Sequence, residues 1–156
     1  MLEILNETPQ PFPLERLQRV GTALLNEAGV EQTVTLVLCD DASIRARNAR
    51  DRGEDEATDV LSYSFTEPGD GSMPWTEHLG DVFVSVETAF RQAPAHGHAG
   101  LEEIVVLFAH GLTHLRGFDH ETEAAWHPFR RAQSRALELW RATQHGAKTP
   151  QPTRGR

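Results

Sequence analysis

The run His110-Gly111-Leu112-Thr113-His114-Leu115-Arg116-Gly117-Phe118-Asp119-His120 constrains the fold of this chain more than any other stretch of it. On a helix, His110 and His114 sit about 40° apart and point the same way. His120 would be rotated by about 240° from His114 if the helix continued. For all three imidazoles to meet, the helix must stop between the second and the third. Gly117 is the residue that can stop it, because it enters the left-handed conformation without a Cβ clash. The chain then turns back and returns His120 to the same point. Three neutral imidazoles with an open fourth position describe a catalytic zinc site, so His110, His114 and His120 are read as ligands of one divalent ion. Nickel or another divalent metal suits three histidines as well.

The other five histidines, His78, His96, His98, His127 and His145, read as surface or satisfied side chains. His96 and His98 fall in an expected loop, and a spacing of two does not share a helix face.

The spacing of the triple matches the zinc-protease signature H-E-x-x-H-x-x-G-x-x-H position for position. That signature needs a glutamate after the first histidine to take a proton from water, and here the position is Gly111. The methionine turn is also missing, since Met1 and Met73 both lie upstream. The residues therefore describe the metal cage of a peptidase without its base, unless Asp119 or Glu121 substitutes.

A chain of 156 residues fits one domain with a real core. Its single cysteine, Cys39, excludes a disulfide framework and reads as a buried small hydrophobe in a strand. The start of the chain has no signal-peptide pattern, and no segment approaches the ~20 apolar residues of a membrane span. A cytoplasmic protein is expected. The net charge of −8 argues against broad, non-specific nucleic-acid binding. It leaves room for a local basic site. Arg45, Arg47, Arg50 and Arg52 cluster, as do Arg130, Arg131 and Arg135. Arginine suits bidentate phosphate contacts, although a solvated helix face accounts for most of these.

Strands are expected at residues 2–6, 33–39, 60–65 and 81–86, from apolar and β-branched runs. Helices are expected at 13–28 with Gly29 as the stop, near 42–51 behind the caps Asp40 and Asp41, near 86–93, at 101–115 and at 121–143. Pro128 would fall in the first turn of the last helix or kink it. Residues 66–79 read as loop. Residues 1–144 thus form a single domain of the α/β or α+β class, with one sheet of about four strands and about five helices. Residues 145–156 read as a disordered polar tail.

Three blocks now carry a resemblance: Arg52-Gly-Glu-Asp-Glu-Ala-Thr-Asp-Val-Leu-Ser-Tyr-Ser-Phe65, Leu79-Gly-Asp-Val-Phe-Val-Ser85 and the histidine block 110–120. In this order and spacing, the chain resembles the YbeY family of bacterial metal-dependent endoribonucleases over roughly residues 2–143. The resemblance implies a mixed sheet packed with helices and a zinc ion on His110, His114 and His120. It implies a zinc-dependent, single-strand-specific endoribonuclease that trims the 3′ end of small-subunit ribosomal RNA and serves ribosome quality control. Arg52, His110, His114 and His120 would be its catalytic residues. The implied partners are single-stranded and ribosomal RNA, the small ribosomal subunit and its proteins, with room for an Era-type GTPase. Many relatives have lysine where this chain has Glu54, so one candidate phosphate contact is lost. A non-catalytic ribosome-assembly factor stabilised by zinc is the alternative, and a metallopeptidase without its glutamate base is a weaker one.

Arg52 is read as a bidentate clamp on the non-bridging oxygens of the scissile phosphate. Asp119 either orients a histidine or caps the turn, and Asp81 either lines the cleft or serves a turn. The attacking group, water or the RNA's own 2′-hydroxyl, is open on the sequence.

Overall fold

The computed structural model describes residues 1–65 and 76–148, the side chains only as far as residue 143. The central strand sets the architecture. Thr33–Cys39 (β2) is buried along nearly its whole length, which is why it reads as an unbroken apolar run rather than an alternating one. β1 (Leu2–Asn6) pairs with it in parallel on one side, Leu2 opposite Val34. β4 (His78–Ser85) pairs with it in parallel on the other, Leu36 opposite Val82. β3 (Val60–Ser64) closes the far edge antiparallel to β4, so the mixed sheet has the order β1-β2-β4-β3.

Alternation along β2 divides the core in two. Val34, Leu36 and Leu38 join Val82 and Val84 in a large core under α1 (Leu14–Glu27) and α4 (Gly100–Leu115). Val37 and Cys39 face the other way, with Leu61, Phe83 and Ile44 of α2 (Asp41–Arg52). α3 (Val86–Gln92) and α5 (His127–Lys148) both pack against α4. α5 also lies along α1, sealing the large core with Ala136 and Trp140. Among the described residues the result is one domain with four strands and five α-helices, as the sequence implies.

Local signals act where expected. The Asp40 carboxylate caps α2 by accepting the Ser43 N–H at 2.8 Å. Gly29 has a φ of +73° after α1. Cys39 is fully buried, and burial pushes its thiol up to about 12.

Three boundaries differ from expectation. β4 begins at His78 rather than residue 81, because an irregularity between Thr33 and Val34 lets Thr33 pair with His78. α5 starts at His127 rather than residue 121, after a single 3-10 turn at Ala124–Trp126. Residues 121–126 are the bend and 3-10 turn that lead from His120 into the helix, and Pro128 falls in the first helical turn, where its missing N–H costs nothing. α5 also runs to Lys148, past residue 144. The rest of the expected tail, and most of the expected loop 66–79, lie outside the described residues.

Candidate metal centre

α4 is buried on most sides and carries His110 and His114 on the face turned to α5. The helix ends at Leu115, and Gly117 follows with a φ of +98°. Its N–H donates to the His114 carbonyl at 2.9 Å, and the Phe118 N–H reaches back to Thr113. This left-handed turn reverses the chain and brings His120 round. The ring centroids of His110 and His114 are 4.9 Å apart, those of His114 and His120 4.9 Å, and those of His110 and His120 5.3 Å. One ligand nitrogen from each lies within 4.8 Å of the others. The three histidines that the spacing singles out are therefore brought together.

The surroundings suit a cation held by neutral imidazoles. The His114 Nδ1 contacts the Phe118 carbonyl oxygen at 3.2 Å. A carbonyl can only accept, so Nδ1 carries the proton and Nε2 keeps a free lone pair. Burial, reinforced by the neighbouring rings, lowers the His110 pKa from its ordinary 6.5 to about 4. Burial lowers that of His114 too. Neither competes strongly for a proton at neutral pH, as a metal ligand requires.

α5 supplies a wall that the sequence did not single out. Phe129, fully buried, lies 4.7–4.9 Å from all three histidine rings. Trp126 stacks on His120 at 4.1 Å and 13°. Gln133 lines the same cleft as His110. Phe129 and Gln133 are four apart on one helix face, with Trp126 one turn before them. That spacing was present in the sequence, but nothing local said that this face meets the histidines.

Gly111 has a steric role. A Cβ there would lie 2.6 Å from Val82 Cγ1 and 2.9 Å from Ser62 Oγ, so α4 packs on the sheet at its backbone. The position that holds the base in zinc proteases faces the sheet here and has no room for a side chain.

Arg52 is the last residue of α2, and its Nη2 donates to the Ser62 carbonyl at 2.8 Å. Ser62 in turn donates from Oγ to the Gly111 carbonyl at 3.3 Å. Arg52 is thus tied to β3 where β3 meets α4, and its charge helps hold the His114 pKa down. It does not pair with Glu54, Asp55 or Glu56. Asp55 is taken by Arg45, while Arg50 pairs with Asp51. Arg130 and Arg135 also find carboxylates, in Glu123, Glu27 and Glu138. Most arginines of the two clusters therefore balance surface acids, and Arg52 stands apart beside the histidines. Glu54 is exposed in the turn after α2.

The open roles of two acids are narrowed. Asp119 accepts the Glu121 N–H at 3.3 Å and so caps the turn. Asp81 meets His78 Nε2 at 2.9 Å, on the strand rather than among the three histidines. His78 also stacks on Phe65, a satisfied side chain as expected. His96 and His98 are satisfied side chains as well, and the partner of both is the buried Glu103.

Residues 4–141 match the family described as endoribonuclease YbeY. The chain belongs to that family. It is 48% identical over 141 residues to the endoribonuclease YbeY of Thermus thermophilus, an alignment spanning 89% of this chain and all of that relative. It is 43% identical over 122 residues to the endoribonuclease YbeY of Deinococcus radiodurans, spanning 77% of each. A solution structure of a Thermotoga maritima protein has the same fold, with a TM-score of 0.64 at 22% identity over 97% of this chain and 99% of that one. The matched span contains the three histidines and Arg52. No described helix is long and apolar enough to cross a membrane.

Proposed function

We propose that this protein is a zinc-dependent endoribonuclease that cleaves single-stranded RNA, with His110, His114 and His120 as the metal ligands and Arg52 on the substrate. Its implied setting is the cytosol. There it would trim the 3′ end of small-subunit ribosomal RNA and serve ribosome quality control, in contact with the small subunit. The observation that carries the reading is the meeting of three imidazoles beside an arginine that has no carboxylate partner among the described residues, in a chain of the YbeY family.

The donor set fits a zinc-class ion: nitrogen ligands only, one tautomer fixed by the Phe118 carbonyl, and low proton affinity at His110. With three neutral ligands such an ion keeps its full +2 charge, which activates water and polarises a phosphoryl oxygen. The protein supplies the rest. The Arg52 guanidinium, steadied by the Ser62 carbonyl, presents its remaining N–H groups to a phosphodiester and stabilises charge as it develops on the non-bridging oxygens. Trp126 and Phe129 keep bulk water from one side of the histidines and fix the ring of His120. Gly111 leaves no room for a glutamate base, which disfavours a peptidase.

The test is cleavage of a labelled single-stranded RNA by pure protein. Zinc should support cleavage, a chelator should abolish it and re-addition should restore it. A fully loaded protein that leaves every RNA intact would favour the non-catalytic assembly factor. The product ends identify the nucleophile, since attack by the 2′-hydroxyl leaves a cyclic phosphate and attack by water does not.

A further inference from the structure

At the other end of α4 lies a second convergence of metal-binding side chains. Glu103, in the first turn of the helix, is only 1% exposed. Its Oε1 meets His98 Nδ1 at 2.7 Å, and its Oε2 meets His96 Nδ1 at 2.9 Å. Gln92 Nε2 donates to the same Oε2 at 2.8 Å and to the Asp59 carboxylate at 2.9 Å. Among the described residues no arginine or lysine pairs with Glu103, whereas its neighbour Glu102 takes Arg141. A carboxylate this deeply buried needs compensating positive charge, and here only imidazoles and an amide face it.

The backbone is shaped to make this cluster. The single 3-10 turn Pro94–His96 ends at Gly97, whose φ is +75°. An extended chain would point His96 and His98 the same way but away from the helix, and a helix would spread them. The left-handed residue between them turns both Nδ1 atoms onto one carboxylate. One donor atom from each of the three residues lies within 4.8 Å of the others. A cleft of about 450 Å³ that reaches His110 and His120 also reaches His96, His98 and Glu103.

We propose that His96, His98 and Glu103 form a second metal site, selective for zinc-class transition metals and opening into the same cleft as the three histidines. Two imidazoles and a carboxylate are a zinc donor set that leaves a fourth position open, and two nitrogen ligands disfavour magnesium or calcium. For the ion to bind, each Nδ1 hydrogen that faces Glu103 would move to Nε2 of its own ring or to solvent, and the ion would neutralise the buried carboxylate. Glu103 and His110 are seven residues apart on one helix, about 10 Å along its axis. That exceeds the ~4 Å of a two-metal clamp on one phosphate. The second ion therefore holds the 93–99 segment against α4 and offers its open position to a group in the cleft. Gln92 fixes the carboxylate that binds it.

Metal uptake by the full chain tests the site without reference to RNA cleavage. Protein stripped with a chelator is dialysed against zinc chloride and analysed for metal. Wild-type protein should hold two zinc ions per chain and His114→Ala one, and the double variant His98→Ala/His114→Ala should hold none. Cobalt(II) added to His114→Ala should give the visible bands of a four-coordinate site, lost in the double variant. If the His98 change unfolds the protein, exposed His96→Ala in the His114→Ala background serves instead, with an expected loss of at least tenfold in zinc affinity. Failure of His114→Ala to take up any zinc would overturn the proposal, as would uptake unaffected by the His98 or His96 change. In either case Glu103 is simply a hydrogen-bonded carboxylate. Absence of zinc-dependent RNA cleavage would leave the metal count, and this proposal, untouched.

Discussion

The two ends of α4 present two histidine clusters built on opposite principles. At the C-terminal end three imidazole rings converge, walled by Phe129 and Trp126, with no carboxylate among the described donors. At the N-terminal end two rings close on a buried carboxylate. The difference teaches what ligand charge does. Neutral donors leave an ion fully charged and able to polarise a substrate, as catalysis needs. A carboxylate takes up part of that charge and suits an ion that holds structure. The positions agree with this division, since Arg52 stands beside the C-terminal cluster and the N-terminal one is tied to Gln92 and Asp59.

The strongest way to break the comparison is to remove one cluster alone. His114→Ala should abolish RNA cleavage and zinc uptake at the C-terminal cluster, read by activity assay and elemental analysis. Both persisting would mean that these three rings are not the catalytic ligands. Next in size is Arg52→Ala, expected to lower cleavage by about two to three orders of magnitude, the usual loss of one charged transition-state donor. Metal content and Tm should stay nearly unchanged. Arg52→Lys should recover only part, because an ammonium cannot make the two-pronged contact. Cleavage by Arg52→Ala at the wild-type rate would reduce the residue to a tether on Ser62.

Two glycines sharpen the comparison through stability. Gly111→Ala pushes a methyl against Val82 and Ser62 and should cost about 1–3 kcal/mol by overpacking. A denaturant melt without loss of midpoint would show that the sheet can give way there. Gly117→Val puts a β-branched residue at a φ of +98° and should cost at least ~1 kcal/mol while weakening zinc affinity. Unchanged affinity would mean that the turn does not position His120.

The smallest effect is on pH. In the metal-free protein His110 takes up its proton only near pH 4, against 6.5 for an ordinary histidine. Between those values the unfolded chain binds more protons than the folded one, so stability falls as the pH is lowered through that window. His114 shifts in the same direction. Thermal melts of stripped protein should show a declining Tm from pH 7 to pH 4.5, with a shallower decline in His110→Asn. Equal slopes would place the acid sensitivity elsewhere, for instance at Glu103, whose hydrogen-bonded carboxylate also loses stabilisation in acid.

The element order, the apolar strand at 33–39 and the C-terminal cluster were legible in the sequence, whereas the central place of that strand and its parallel pairing were not. Helix periodicity, an apolar β-branched run and a glycine stop are local signals, and His110, His114 and His120 lie within eleven residues. Their meeting follows from helix geometry and one left-handed turn, both short-range physics. What lies around them was decided by packing. Trp126, Phe129 and Gln133 reach the histidines only because α5 docks on α4, and Arg52 because β3 rests on Gly111. The N-terminal cluster is hidden from local reading for the same reason. His96 and His98 look like loop residues until Gly97 turns them onto Glu103, and Glu103 looks like one more acid in a helix start until that helix is buried. A periodic pattern records which face of an element is apolar, whereas the partner that covers that face is a long-range contact with no local code. The sequence by itself determined the elements and the three-histidine cage. Only the tertiary structure decided which arginine, which aromatic wall and which second set of ligands share its cleft.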